Sequence, residues 1–113
     1  MEITRRDEDG GIAVLSLHGR LNQASADSLH AAAMEAITEG CRGLVVEMTG
    51  VDFIASVGIR ALIRPSQAIS MNGGKLAVAD LKPEIRDFFT LTGLDQMFTV
   101  YGTAEEAAAA LRG

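Results

Sequence analysis

The fold of this chain is decided by two consecutive stretches, Leu44–Met48 (LVVEM) and Val51–Ile63 (VDFIASVGIRALI). The first is a short run of aliphatic and β-branched residues, which is typical of a strand covered on both faces. The second leads into a helical pattern that we expect to run from about Ser56 to Met71. Ser56 therefore falls where a loop becomes a helix. Its hydroxyl can cap the N–H groups of the first helical turn, or it can be offered to a partner that modifies it.

The composition indicates one domain over residues 1–113. Hydrophobic residues make up 48% of the chain, and only 4% of the residues are aromatic, so we expect an aliphatic core in which Met34, Met48, Met71 and Met97 serve as fillers. The net charge of −5 argues against a sequence-independent nucleic-acid binder, which needs a basic face. It also gives no support for docking on anionic membranes.

The single cysteine, Cys41, rules out an intramolecular disulfide and a metal–thiolate cluster. The first nine residues are rich in charged side chains, with no apolar segment of a signal peptide after them. No apolar run approaches the ~20 residues of a membrane span. We therefore expect a protein of the reducing cytoplasm with no membrane partner.

The first half of the chain predicts a hairpin followed by a helix. Strands are expected at Glu2–Arg6 and Ile12–Leu17, separated by a turn-prone segment rich in Asp and Gly. Gly19–Asn22 is expected to be a bend. Ser25 is a good N-cap for a helix over Ala26–Thr38, whose apolar residues recur at helical spacing.

The second half predicts two more strands, each followed by a helix. After the helix that ends near Met71, strands are expected at Lys75–Ala79 and Met97–Tyr101. Pro83 suits the first position of a helix that reaches about Leu91. Thr103 is expected to cap a terminal helix. Pro65 breaks a local rule inside the second helix, where we expect a kink or a shift of register and not an end.

The alternation of strands and helices predicts an α/β domain with a mixed, mostly parallel β-sheet. The opening hairpin adds an antiparallel edge, and about four α-helices are expected.

Four segments, in this order and at these spacings, resemble the STAS-domain family, and in particular bacterial anti-sigma factor antagonists. They are Gly19–Asn22 (GRLN), Asp52–Arg60 (DFIASVGIR), Gly73–Leu76 (GGKL) and Ile85–Leu94 (IRDFFTLTGL). The resemblance covers nearly the whole chain and implies a STAS fold.

The resemblance also implies a function, which is regulatory and not enzymatic. Such a protein binds an anti-sigma factor that is a serine kinase with a GHKL-type ATPase domain, and phosphorylation of one serine, here Ser56, releases it. A PP2C-type phosphatase would remove the phosphate. The ATP belongs to the kinase, so this chain needs no cofactor. The implied binding face comprises Asn22, Asp52, Ser56, Val57, Gly58 and Arg60.

Three alternatives remain open at the level of sequence. Ser56 can simply cap its helix. The chain can be a constitutive scaffold or subunit of a transport or signalling complex, which is favoured by Ala55 and Val57, since many family members carry an acidic residue and a second Ser or Thr at these positions. An enzyme has little support. His18 and His30 lack a second ligand at metal-binding spacing, and Ile54 replaces the first Gly of a Gly-x-Ser-x-Gly nucleophile motif.

Overall fold

The computed structural model describes all 113 residues and contains one five-stranded sheet with the strand order β1-β2-β3-β4-β5. β1 pairs antiparallel with β2, and the other neighbours pair parallel. The strands are β1 Glu2–Glu8, β2 Ile12–Leu21, β3 Gly43–Ile54, β4 Lys75–Ala79 and β5 Thr99–Tyr101. The helices are α1 Gln23–Thr38, α2 Ser56–Met71, α3 Pro83–Thr92, α4 Leu94–Met97 and α5 Ala104–Arg112. The predicted fold class is confirmed, with the short α4 added.

The sheet carries a large core on one face and a small core on the other. Alternate strand residues such as Leu15, Val46 and Val78 pack with α1 to α4 in a cluster of 22 buried residues. The intervening residues, such as Val14 and Val45, pack under α5 in a cluster of 8. This division follows from the alternation of side chains along each strand. Helices α1 and α2 thus lie together on the more heavily packed face.

Strands β2 and β3 extend further than the sequence pattern predicts. The expected bend is wrong over Gly19–Leu21 and is found only at Asn22, and the expected loop after Met48 is wrong, because Gly19 pairs with Val51 and Leu21 pairs with Ile54. Register shifts and a φ of +121° at Gly19 accommodate this pairing. The backbone of both segments therefore forms its hydrogen bonds across the two strands, which project beyond the last β3–β4 pair.

The predicted bounds of the second helix are confirmed. Pro65 is buried inside α2, and the helix continues past it to Met71. The prediction for α3 also holds at both ends, since Pro83 opens the helix and Gly93 ends it with a φ of +77°. No helix of this chain combines the length and the apolar character that crossing a membrane requires.

The remaining differences lie around α4 and the methionines. The strand predicted over Met97–Tyr101 is too long, because Met97 ends α4 and only Thr99–Tyr101 pair with β4. Met48 is fully buried, as expected. Met71 and Met97, which were also expected in the core, are 88% and 58% exposed. Each is the last residue of its helix.

Candidate functional site

Ser56 is the first residue of α2 and follows the end of β3 after a single intervening residue, Ala55. Its side chain is exposed, and its hydroxyl forms no hydrogen bond within the chain. The backbone N–H groups of Ser56 and Val57 donate no intrachain hydrogen bond either, whereas those of Gly58 and Ile59 bond to the Ala55 carbonyl at 2.9 and 3.3 Å. The start of α2 therefore presents a free hydroxyl beside free backbone donors.

The expectation that Ser56 caps α2 is wrong. The N-cap of this helix is Ala55, which has no side-chain acceptor to offer. The physical reason is the length of β3. Pairing between Leu21 and Ile54 holds the backbone extended up to the residue before the N-cap, so Ser56 already takes helical geometry.

The neighbouring start of α1 is capped by a side chain, but by a different residue from the one predicted. Asn22 is the N-cap, and Ser25 is the third helical residue. The Asn22 Oδ1 accepts a hydrogen bond from the Ser25 N–H at 3.3 Å, and the Ser25 Oγ accepts one from the Asn22 N–H at 2.8 Å. The Ser25 hydroxyl also donates to the Arg20 carbonyl at 2.5 Å. This is a reciprocal capping box, in which Ser25 occupies the position that Glu or Gln holds in other examples.

Gly58 allows the two helix starts to lie close together. A Cβ atom at Gly58 would stand 2.6 Å from the Cγ of Leu21, and the Ala55 N–H donates to the Leu21 carbonyl at 2.9 Å. Gly58 is buried. It was predicted as part of the binding face, and the structure places it beneath that face, where it supports the exposed residues around it.

The other predicted residues of the face lie at or near the surface. Asp52 and Arg60 are exposed, Val57 is half-buried, and Asn22 is exposed although its side chain is engaged in capping. Asp52 sits at the register shift of β3, where Val51 and Phe53 pair with consecutive residues of β2 and Asp52 has no partner. The strand ends bring Asn22 beside Ala55, since the residues just before them are paired.

Sequence reasoning missed two residues next to this surface, Arg20 and Phe53. They are paired across β2 and β3, and the Arg20 guanidinium lies 4.1 Å from the centre of the Phe53 ring. Phe53 remains 38% exposed. The pairing register of β2 and β3 could have identified this pair. That register was not predicted, because the ends of both strands were expected to be irregular.

A groove of about 220 Å³ runs between α1 and α2 and begins one residue from Ser56. We call it the α1–α2 groove; it is lined by Gln23, Ala26, Asp27, His30, Val57, Arg60, Ala61 and Arg64. Arg60 and Arg64 form no ion pair within the chain. The Nδ1 atom of His30 is buried and has no hydrogen-bond partner. Sequence reasoning treated His30 as an ordinary structural residue, and only the packing of the two helices reveals this groove.

A second polar cluster lies around Asp80, which follows β4. Burial raises the pKa of its carboxyl; the hydrogen bond that it accepts from the Ala104 N–H opposes this shift, and the nearby Glu47 carboxylate adds to it. Glu47 in turn accepts a hydrogen bond from the Ser16 hydroxyl at 2.6 Å. Asp80 has a φ of +58°, a conformation that Asp and Asn adopt more readily than other non-glycine residues. These groups serve the start of α5 and lie apart from Ser56 in the fold.

Comparison with known proteins places this geometry in a family. The family model described as STAS domain matches residues 4–107. BtrV of Bordetella bronchiseptica, provisionally named an anti-sigma factor antagonist, is 30% identical over 106 residues, which is 94% of this chain and 91% of that protein. The anti-sigma-F factor antagonist RsfB of Mycobacterium tuberculosis is also 30% identical, over 94% of this chain and 86% of RsfB.

A solved structure gives the same result in three dimensions. The crystal structure of an anti-sigma factor antagonist from Mycobacterium paratuberculosis superposes with a TM-score of 0.87 at 28% sequence identity. The match covers 99% of this chain and 94% of that one. The similarity therefore extends over the whole domain.

Proposed function

The chain belongs to the STAS-domain family, and from this premise we propose that it is an anti-sigma factor antagonist controlled by phosphorylation of Ser56. Its unphosphorylated form binds an anti-sigma factor that is also a serine kinase, and phosphorylation releases this partner. The names of its relatives BtrV and RsfB support the antagonist function. The regulatory step rests on the geometry of Ser56.

The observation that carries this proposal is the uncommitted hydroxyl of Ser56. A kinase needs a hydroxyl that it can reach and that does not hold the fold together. Ser56 meets both conditions, because it is exposed and forms no hydrogen bond within the chain. Ser25, in contrast, is buried and engaged in the cap of α1.

The start of α2 suits a phosphate in the modified state. A phosphoserine carries about −1.5 to −2 charges and three acceptor oxygens. The free N–H groups of Ser56 and Val57 and the positive end of the helix dipole favour an anion at this position, worth roughly 0.3–1 kcal/mol. Arg60 follows one turn later on the same side of the helix. Phosphorylation is therefore expected to leave the fold intact.

Release of the partner would follow from the change at the interface itself. The added charge and bulk replace a small hydroxyl in the middle of the proposed contact surface. A loss of about 3 kcal/mol of association free energy weakens binding by more than a hundredfold. The proposed contacts are Asn22, Asp52, Ser56, Val57 and Arg60, with Gly58 beneath them.

The partners in this proposal are a GHKL-type kinase, which supplies the ATP, and a PP2C-type phosphatase, which restores the binding form. No catalytic role is assigned to this chain.

Two measurements test the proposal. The first is intact-mass spectrometry of the protein from its native cells under several growth conditions, with fragmentation to locate the site. We expect a fraction that is heavier by one phosphate, located on Ser56. The second is binding of the purified GHKL-type kinase to the wild type, Ser56→Ala and Ser56→Asp. We expect Ser56→Ala to bind and Ser56→Asp to lose at least about a hundredfold in affinity.

Ser70→Asp is the matched control, since it adds the same charge to an exposed serine at the other end of α2. It is expected to bind like the wild type. If no phosphate is found and Ser56→Asp binds as tightly as Ser70→Asp, the phospho-switch is wrong and the chain acts as a constitutive scaffold.

A further inference from the structure

The charge distribution on α2 is unusual for a chain with a net charge of −5. Its sequence, SVGIRALIRPSQAISM, contains two arginines and no acidic residue. Arg60 and Arg64 are four residues apart, so they are neighbours on one side of the helix, where like charges destabilise it. Both are exposed and neither forms an ion pair. Local physics thus disfavours this pair, which is the pattern found at functional sites.

The opposite wall of the α1–α2 groove adds a second unsatisfied group. The Nδ1 atom of His30 is buried without a hydrogen-bond partner, and a buried polar atom in this state carries a free-energy cost. Because this atom is shielded from solvent, the two exposed arginines are the groups that an occupant of the groove meets first. The groove therefore lacks counter-charges.

From these observations we propose that the α1–α2 groove docks an acidic segment of the protein partner, with Arg60 and Arg64 pairing with carboxylates of that segment. Guanidinium groups suit this task because they bind a carboxylate through two parallel hydrogen bonds. This inference rests on the proposed function, because the occupant belongs to the same partner. It adds the chemistry by which that partner is recognised.

The position of the groove favours a protein segment over a free small anion. Val57 and Arg60 belong both to the groove and to the proposed contact face around Ser56, so the two surfaces are continuous. A chain bound at Ser56 can therefore continue along the groove. Phosphorylation would act on both surfaces, since a phosphate on Ser56 lies one turn from Arg60 and competes for its guanidinium.

Asp27 is expected to weaken the binding of an acidic segment in the groove. It lies in the groove on α1 and forms no ion pair with either arginine. Its carboxylate opposes any acidic occupant. Removing the Asp27 charge should therefore strengthen binding, whereas removing either arginine charge should weaken it. Because these changes also shift the net charge of the chain in opposite directions, a charge change of equal size outside the groove is needed to locate the effect in the groove.

The test is a titration of the ¹⁵N-labelled, unphosphorylated full chain with an acetylated hexaglutamate peptide, followed by NMR at low salt. Hexaglutamine serves as the peptide control. We expect hexaglutamate alone to shift the amide signals of groove residues. Arg60→Gln and Arg64→Gln should each weaken binding by about three- to fivefold, and Asp27→Asn should strengthen it by a similar factor.

Arg42→Gln is the matched control variant, because Arg42 is an exposed arginine without an ion pair, located before β3. It should leave the affinity unchanged. Equal weakening in Arg42→Gln and Arg60→Gln would overturn the proposal, as would shifts that avoid the groove. Inorganic phosphate that binds the groove more tightly than the peptide would also overturn it in favour of a small-anion site.

This titration needs neither the kinase nor phosphorylation of Ser56, so its failure can be told apart from failure of the proposed function. Loss of partner binding in Ser56→Asp together with no response to hexaglutamate would remove only the groove. A response to hexaglutamate without any phosphate on Ser56 in native cells would retain the groove and remove the switch.

Discussion

The starts of α1 and α2 occupy equivalent places and are built in opposite ways. Each helix follows the end of a strand, and these strand ends are paired through Leu21 and Ile54. At α1, Asn22 and Ser25 satisfy each other's backbone groups in a closed capping box. At α2, Ala55 offers no cap and Ser56 leaves its hydroxyl free.

This difference distinguishes Ser25, which stabilises the fold, from Ser56, whose hydroxyl is available to a partner. The polar groups at the start of α1 are engaged within the chain, so they stabilise the fold, and the buried Ser25 hydroxyl is not available to a kinase. Those at the start of α2 are left to solvent, so a partner or a phosphate can use them without breaking an internal bond. The local sequence pattern, a serine near a helix start, is the same in both cases.

The largest expected effect on stability comes from a substitution that pushes the starts of α1 and α2 apart. Gly58→Val would place methyl groups in contact with Leu21, where even a Cβ stands 2.6 Å from the Cγ atom. We expect a loss of about 3 kcal/mol in the free energy of unfolding, because overpacking at this site forces α2 away from β2. Urea denaturation measures it. Gln67→Val, an exposed change in the same helix, should stay within about 0.5 kcal/mol. Similar losses in both variants would contradict the close packing at Gly58.

The next effect compares the two serines directly. Ser25→Ala removes the reciprocal cap and the bond to the Arg20 carbonyl, and should cost about 1–2 kcal/mol in the free energy of unfolding. Ser56→Ala removes no internal bond and should change it by less than about 0.5 kcal/mol. Both values come from the same urea titrations. Equal losses would mean that Ser56 is structural after all.

A charge at the start of α2 should have a smaller effect of the opposite sign. Ser56→Asp is expected to stabilise the fold by about 0.3–1 kcal/mol, since a carboxylate there meets free N–H groups and the positive end of the helix dipole. Thermal denaturation should show this gain shrinking at high salt. Ser70→Asp, near the other end of the helix, should instead lose a few tenths of a kcal/mol. A gain in both variants would exclude the dipole as its cause.

The smallest effect extends the comparison to the start of α5, where Thr103 and Asp80 both accept backbone hydrogen bonds. The raised pKa of Asp80 means that the folded chain holds its proton more tightly than the unfolded chain does. Stability due to this group is therefore present at low pH, and it is lost as the pH rises from the ordinary value of 3.8 through the raised one.

Asp80→Asn should prevent the loss of stability that ionisation of Asp80 causes as the pH rises. Its amide tolerates the positive φ, keeps an acceptor for Ala104 and carries no charge to repel Glu47. We expect a gain of about 0.5 kcal/mol or less in the free energy of unfolding at neutral pH, and none at pH values well below 3.8, as measured by urea titrations at both. A gain of equal size at both pH values would show that charge is not its origin.

The helices whose ends are marked by Pro, by Gly or by a clear apolar spacing could be predicted from the sequence. Pro83 and Gly93 bound α3, and the bounds of α2 followed from its apolar spacing. The start of α1 could not be predicted in the same way. Asn22 and Ser25 are both good N-caps, and in a reciprocal box each bonds to the other, so only the geometry decides which of them precedes the helix.

The parts of the site that depend on register or packing were beyond local patterns. Gly19 favours a bend in isolation, yet it lies in a strand because β3 supplies a pairing partner. The stacking of Arg20 on Phe53 requires that register. The α1–α2 groove requires the angle and distance between two helices. Ser56 was identified because the start of α2 follows from a local sequence pattern and because the family resemblance implies a regulatory serine at this position.

The strands follow one another across the sheet in the order in which they occur along the chain. Each strand after the first can therefore add at a free edge, and none must be inserted between two that are already paired. Helix α5 depends on three strands at once, since it packs on Val14, Val45 and Ala77, and its Arg112 donates to the Asp9 carbonyl at 3.3 Å. During folding, α5 can dock only after these three strands are in register. Its docking is thus a late step that couples both ends of the chain.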